Sequence, residues 1–381
     1  MHDFTGTVRV VSSAIARRPG GPPPMSPDEA TPPLPRPYRV VQWATGAVGR
    51  AVIRDVLDRP GLELAGAWVH TPGKHGVDAA ALAGRDPIGV PATGDIDDIL
   101  ALDADCVVYA PGPMGDPFAD LEPVRALLAS GKNVISLTGL VYPYAHGPRL
   151  ASELEQACKR GGVSVHGCGV SPGFMPDVMP IVLSRLSRRI THVYVRECMD
   201  LSEHPSWRLV HDTLGIGRDE ESYLRSLRPT RTAVRSVFSE SLHLVAAGLR
   251  VDLDDIDVDV DYRFAGTDLP TAAGVVRRGS VAAARWTVSG LAGGRPVITI
   301  EVVHKADAAR IPDWGPPGYA VRVHGRPSIT LTTGEDWVTS GVAAAASHAV
   351  NAIPVVCAAE PGIRTYLDLP LVTGRMELDG P

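Results

Sequence analysis

The segment Trp43-Ala-Thr-Gly-Ala-Val-Gly49 has the residue types and spacing needed to bind a pyrophosphate. It follows a short apolar run and leads into an amphipathic pattern, as in a dinucleotide-binding βαβ unit. Gly46 allows backbone N–H groups to approach the phosphates, and Gly49 allows the following helix to pack closely on the sheet. Trp43 or Ala44 takes the place of the first fingerprint glycine, so an ordinary strand–helix turn is the alternative.

A second apolar run, Leu62–Val69, predicts the strand that carries the ribose-binding residue of such a unit. NAD sites usually have Asp or Glu after this strand, whereas this chain has His70, Thr71 and Lys74. No carboxylate would repel a phosphate there, so the sequence favours NADP, with NAD as the alternative. A solvated loop lysine is the alternative interpretation of Lys74.

Length and composition favour a two-domain globular enzyme. The chain has 381 residues, of which 44% are hydrophobic and 21% charged, and a net charge of −6. The acidic balance argues against nucleic acid as a partner, and polar residues interrupt the longest apolar stretch, so no membrane span is expected. Five cysteines without a C-x-x-C pair indicate reduced thiols, a cytoplasmic location and no metal site.

The chain divides into four segments. Residues 1–36 are proline-rich and lack apolar periodicity, which predicts a disordered extension. Residues 37–175 alternate strands with helices and form the expected dinucleotide-binding domain. Residues 176–335 have longer β-rich runs and a helical piece at Ser236–Ala247, typical of an α+β substrate or oligomerisation domain. Residues 336–381, with a helix predicted over Val338–Val350, should return to the first domain.

The predicted fold class is therefore α/β, with a doubly wound parallel Rossmann-type sheet and a second α+β domain built on an open mixed sheet. The acidic run Val251–Asp261 lacks the glycine and the glutamate of a calcium-binding loop. Its alternation of Asp with Val or Ile predicts instead a strand with one solvated face.

Ligands of open α/β sheets bind outside the carboxyl ends of the strands, so the cofactor-binding residues are expected in the loops that follow them. Besides the residues after the second strand, these loops supply Thr45, Gly46, Ala47, Val48, Gly49, Ala110, Pro111, Thr138, Gly139 and Pro172.

Four segments together resemble one family: the glycine turn, Gly139–Pro143, Gly169–Phe174 and Asn351–Pro354. Over residues 37–374 the chain is similar to proteins with a dihydrodipicolinate-reductase-like N-terminal domain. This group includes 2,4-diaminopentanoate dehydrogenase and the native amine dehydrogenases, and the likeness is strongest to actinobacterial members. The resemblance implies NAD(P)H-dependent reductive amination of a small carbonyl compound, or the reverse deamination. It also implies that Asn351 contacts the nicotinamide carboxamide, and we expect a homodimer.

Two departures from the family pattern bear on the reaction. The chain lacks the His-His-x-x-Lys and Pro-Ser-Gly-Thr motifs of true dihydrodipicolinate reductases, so that activity is not expected. The resemblance also implies a glutamate after the fifth strand, where this chain has Leu137–Val141. The acid/base group must then lie elsewhere. The alternatives are imine or ketone reduction without ammonia, or an NADP-sensing protein without catalysis.

The predicted catalytic residue is His166, at the end of the last strand, because a histidine near neutral pKa suits proton transfer. Tyr142 is the second candidate, since a phenol could polarise a carbonyl group. A structural histidine and a tyrosine that packs at the domain interface are the respective alternatives. Glu197 and Asp200 could face an amine substrate, or be surface carboxylates.

Overall fold

A parallel seven-stranded sheet forms the first domain in the computed structural model, which describes residues 36–112, 118 and 120–376. Pro37 begins a single compact unit, whereas most of the proline-rich segment, residues 1–35, lies outside the described residues. Numbered along the chain, the strands of this sheet are β1 Tyr38–Trp43, β2 Leu62–Trp68, β3 Ala92–Thr93, β4 Cys106–Tyr109, β5 Asn133–Ser136, β6 Ser164–Gly167 and β15 Gly362–Ile363.

Helices cover both faces of this sheet, so it is doubly wound as predicted. The strand order is β15-β6-β5-β4-β1-β2-β3, which places β1 between β2 and β4, where the direction of winding reverses. One face carries α1 Ala47–Leu57, α2 Ala79–Leu82 and α9 Gly341–Cys357. The other carries α3 Ile96–Ala101, α4 Glu122–Ala129 and α5 Pro148–Gly161. Because both faces are covered, every residue of β4, β5 and β6 is buried.

A six-stranded sheet forms the second domain, in the order β14-β13-β7-β12-β11-β8. Only the β7–β12 pair is parallel among its paired strands, so the sheet is mixed as predicted. Its strands are β7 Arg188–Asp200, β8 Asp255–Phe264, β11 Val281–Ala292, β12 Arg295–Lys305, β13 Gly318–Arg326 and β14 Ile329–Thr332, and a separate hairpin is formed by β9 Leu269–Thr271 and β10 Gly274–Val276.

Among the described residues, three α-helices accompany this sheet, α6 Val178–Ser184, α7 Glu220–Leu249 and α8 Asp336–Thr339, together with a short π-helix at Arg208–Thr213. Apolar residues of α7, among them Leu242 and Val245, pack on one face of the sheet. The acidic run lies in β8, where exposed Asp257 alternates with buried Ile256 and Val258. The prediction of a strand with one solvated face is confirmed.

The helix predicted over Ser236–Ala247 is much longer than its apolar pattern indicated. It begins after Asp219, whose carboxylate accepts the N–H of Ser222 at 2.8 Å. Arg231 and Arg235 donate hydrogen bonds to backbone carbonyls of β8, the edge strand of the sheet. In the same half of α7, buried Tyr223 and half-buried Leu227 pack on the apolar residues around the second sheet. A few widely spaced apolar contacts and these hydrogen bonds together hold the first half of α7, which is why its apolar pattern is weak. The predicted helix Val338–Val350 is likewise two helices, α8 and α9.

Candidate active site

The glycine turn has the shape of a phosphate cradle. A Cβ added to Gly46, the residue before α1, would meet no described atom within 4 Å, so the space above the turn is open. A Cβ on Gly49 would lie 2.1 Å from the backbone oxygen of Ala44, so this position admits only glycine. Ala44 has a φ of +69°, the left-handed conformation that a glycine would adopt easily.

No side chain of the described residues caps the N-terminus of α1. The first N–H groups of a helix have no acceptor within the helix and carry partial positive charge, so the cradle and this helix N-terminus fit the pyrophosphate of a dinucleotide. Lys74 lies beside them, because its Nζ donates to the backbone oxygen and to the hydroxyl of Thr45, both at 3.1 Å. His70 and Thr71 are exposed at the end of β2.

Hydrogen bonds bring the loops of neighbouring strands together at one edge of the sheet. The N–H of Ala110 donates to Trp43 at 3.1 Å, that of Leu137 to Tyr109 at 2.9 Å, and that of Cys168 to Ser136 at 2.8 Å. The structure therefore places the predicted residues of the turn, Ala110, Pro111, Thr138, Gly139 and Pro172 along the same edge.

Asn351 lies on α9, which packs beside α1. Its Oδ1 accepts a hydrogen bond from Arg59, which follows the C-terminal end of α1. The 11 residues of α1 span about 16 Å at 1.5 Å per residue, and they lead away from the glycine turn. His348, one turn earlier on the same helix, contacts the oxygen of Gly169 in the loop after β6, so the contact of Asn351 with the nicotinamide stays a prediction.

His166 is fully buried between the sheet and the elements that cover it. Its Nδ1–H donates to the backbone oxygen of Arg364 at 2.6 Å, and its ring packs edge-on against Tyr366 at 4.8 Å between centroids. Burial lowers the pKa of His166 to about 4, so the imidazole is neutral at physiological pH. His348 completes the cluster by donating from Nδ1 to the oxygen of Gly169 at 2.8 Å. These contacts favour the structural interpretation of His166.

Tyr142 is half-buried and packs edge-on against Tyr144, with 5.3 Å between ring centroids. Burial, together with the nearby Asp368 carboxylate, raises the pKa of its phenol. The hydroxyl therefore stays protonated at neutral pH. Tyr142 lies near Asp368 of the C-terminal segment.

Glu197 joins the second domain to the loop that follows β6. It is 9% exposed, and its carboxylate accepts hydrogen bonds from the hydroxyls of Tyr319, at 3.3 Å, and Ser171. Burial raises the pKa of this carboxyl although both hydroxyls lower it. Asp200, on the same strand, instead accepts backbone N–H groups of Ser202 and Ala308 at 2.9 and 3.1 Å.

The sequence reasoning missed two buried carboxylates near the same edge. Glu240 of α7 is 1% exposed, and its Oε2 accepts the N–H of Val141 at 3.1 Å. Asp177 accepts the N–H of Gly173 at 2.6 Å. Burial raises the pKa of Asp177 to about 7, and the nearby Glu240 carboxylate also raises it. The sequence feature that points to Glu240 is its position as a charged residue among the apolar residues of the second half of α7.

Within the described ranges, no group of three or more His, Cys, Asp or Glu side chains is arranged to hold a metal ion. The helices in that part of the chain include none that is long and apolar enough to cross a membrane.

Comparison with known proteins identifies the family. Residues 174–379 match the 2,4-diaminopentanoate dehydrogenase C-terminal domain, and residues 40–140 match the N-terminus of dihydrodipicolinate reductase. The chain belongs to the 2,4-diaminopentanoate dehydrogenase family. It is accordingly an oxidoreductase with a nicotinamide cofactor, and the fold and family predicted from the sequence are confirmed.

The alignments with two curated relatives cover almost the whole length of each relative. An amine dehydrogenase of Streptomyces virginiae is 34% identical over 348 residues, which are 87% of this chain and 96% of the relative. A 2,4-diaminopentanoate dehydrogenase of Acetoanaerobium sticklandii is 25% identical over 87% of this chain and 93% of its own. The solved structure of an amine dehydrogenase from Mycobacterium smegmatis, 22% identical, has the same fold, with a TM-score of 0.73 over 89% of this chain and 97% of that protein.

Proposed function

We propose that the protein catalyses the interconversion of a small carbonyl compound and the corresponding primary amine with a nicotinamide cofactor. The balanced reaction consumes the carbonyl compound, ammonium, a proton and NAD(P)H, and yields the alkylammonium ion, water and NAD(P)⁺. The names of both full-length relatives support this assignment. The cofactor supplies the hydride when it is bound, and the protein must bind, orient and exchange protons with the substrate.

We assign the cofactor to the edge described above, with the glycine turn on the pyrophosphate and Lys74 and Thr71 near the adenosine ribose. Lys74 is held at the junction of the turn and the loop after β2, and residues 69–77 of that loop include no carboxylate. Asp78, which follows them, caps α2. This charge balance supports NADP over NAD. Thr138, Gly139 and Pro172 then lie at the nicotinamide end.

The proton-transfer role is assigned to Glu197. The observation that carries this assignment is its buried carboxyl group, hydrogen-bonded to Tyr319 and to Ser171, the residue before Pro172. A carboxyl group with a raised pKa can accept a proton from ammonium and return it to the oxygen that leaves as water. The two hydroxyls keep it in one orientation. A fully buried, neutral His166 and a protonated Tyr142 are less suited to this exchange.

The assignment is tested with Glu197→Gln, which keeps the size and the hydrogen-bond acceptor but cannot exchange a proton. In a screen of small aldehydes and ketones with NADPH and ammonium, kcat should fall by about 10²- to 10⁴-fold while NADPH affinity is unchanged. Glu63→Gln, at an exposed position on β2, is the matched control. Turnover that does not depend on ammonium would instead identify an imine or ketone reductase. NADPH binding without turnover on any substrate would identify a sensor.

We also propose a homodimer in the cytoplasm. The face of the second sheet opposite α7 carries half-buried polar pairs such as Tyr194 and Glu301, 2.6 Å apart, which suits contact with a second subunit. The five cysteines are free thiols, as in a reducing compartment. Light scattering after size exclusion tests the dimer: a monomeric mass would contradict it.

A further inference from the structure

We propose that Glu240 is a positioning residue, which fixes the loop after β5 from the second domain and thereby orients the nicotinamide end of the cofactor. This inference rests on the proposed function, because it takes Thr138 and Gly139 as the residues beside the nicotinamide. It concerns a carboxylate on a different element from the proton-transfer residue Glu197.

The loop after β5 contains a buried N–H group, that of Val141, whose hydrogen-bond acceptor comes from α7. Gly139 and Leu140 have φ values of +82° and +67°, so the chain turns sharply here, and a leucine in this conformation is strained. After the turn, Val141 is 1% exposed, and its N–H would lose a hydrogen bond to water without replacing it. Oε2 of Glu240 supplies the acceptor at 3.1 Å.

The same carboxylate also lies next to the turn itself. A Cβ added to Gly139 would lie 3.6 Å from Oε2 of Glu240 and 2.7 Å from the ring of Phe118. The Phe118 ring packs on His146, with 3.7 Å between centroids, and Nε2 of His146 lies 3.6 Å from Oε1 of Glu240. Glu240 is therefore enclosed by the loop and by the residues that follow it, and α7 determines where the loop sits.

This arrangement explains why a charged side chain is retained inside an apolar half-helix. Phe238, Leu242 and Val245 of α7 are all buried against the second sheet, whereas Glu240 points to the first domain. A buried carboxylate is costly unless it has partners, and the Val141 N–H is a partner that contributes most when the group is charged. Glu240 thereby links α7 of the second domain to the loop after β5 at the cofactor edge.

The test compares three substitutions of Glu240, which separately change the charge of the side chain, its length and its ability to accept a hydrogen bond. Glu240→Gln keeps the length and the acceptor oxygen, Glu240→Asp keeps the charge but falls one methylene short of Val141, and Glu240→Met keeps the length without an acceptor. Glu221→Asp, at an exposed position on the same helix, is the control. Calorimetry measures the affinity of each full-length variant for NADPH and for 2′-phospho-ADP-ribose, which lacks the nicotinamide. The same comparison is made between NADH and ADP-ribose, which also lacks the nicotinamide.

We expect the Asp and Met variants to bind the dinucleotide about ten- to a hundredfold more weakly, the effect of one lost hydrogen bond to a charged group, and the fragment as tightly as the wild type. The Gln variant should bind both ligands nearly as the wild type does. A merely structural role would weaken both ligands equally, which would overturn the proposal. So would equal binding in all variants, or loss of folding in both the Asp and Met variants. Failure of the wild type to bind any dinucleotide would overturn the proposed function as well.

Discussion

Replacing His166 by Asn should change how the stability of the protein depends on pH. The side-chain amide can still donate to the Arg364 oxygen, but it does not titrate. In the wild type, burial lowers the pKa of His166 from its ordinary 6.5 to about 4. Between these values the unfolded chain binds a proton that the folded protein refuses, so the wild type loses stability as the pH falls. The Asn variant lacks this loss.

The magnitude follows from the pKa difference of about 2.5, which corresponds to about 3 kcal/mol when the pH has fallen to 4. At pH 5 the loss is about 2 kcal/mol. The free energy of unfolding is measured by guanidinium titration, followed by tryptophan fluorescence, from pH 7.5 to 5. The stability advantage of the wild type over the variant should shrink by about 2 kcal/mol across this range.

Val165→Ala is the control, because it makes a cavity on the same strand without removing a titratable group, so its effect should not depend on pH. A wild-type advantage that stays constant from pH 7.5 to 5 would refute the assignment of His166 as a buried neutral residue. A loss of about a hundredfold in kcat for His166→Asn at neutral pH, with NADPH affinity intact, would return the proton-transfer role to this residue.

Two further predictions concern the cofactor. Gly49→Ala should lower the free energy of unfolding by about 1–3 kcal/mol, because its methyl group meets the Ala44 oxygen. Gly46→Ala should leave the free energy of unfolding unchanged, because its methyl group enters only the open cradle. It should weaken the binding of NADPH and NADH alike. Thermal melts with and without cofactor distinguish the two; equal melting temperatures would contradict the cradle geometry. Lys74→Ala should reduce the preference for NADPH over NADH by about 1 kcal/mol or more, and titration of both cofactors into wild type and variant checks it. Equal wild-type affinities would contradict the NADP assignment.

Much of the fold could be predicted from the sequence because it depends on local patterns. In the first sheet, β4 is continuously apolar where helices cover both faces, and in the second sheet β8 alternates where one face is solvated. The glycine turn was recognisable because a phosphate cradle needs a close backbone approach at fixed positions. The first half of α7 could not be predicted, since its apolar contacts, Tyr223 and Leu227, are few and hydrogen bonds from Arg231 and Arg235 to a distant strand supplement them.

The site depends on both levels. The sequence by itself determined which loops meet at the carboxyl edge of the sheet, because parallel strands joined by helices bring their ends together. Only the tertiary structure decided which side chains reach that edge. Asn351 contacts Arg59 because α9 runs beside α1, while Glu240 reaches the loop after β5 from 99 residues away. Glu197 and Ser171 come together only when the second sheet packs on the β6 loop, and burial then sets the pKa of the carboxyl group. No local pattern records such contacts, because they depend on how two domains pack.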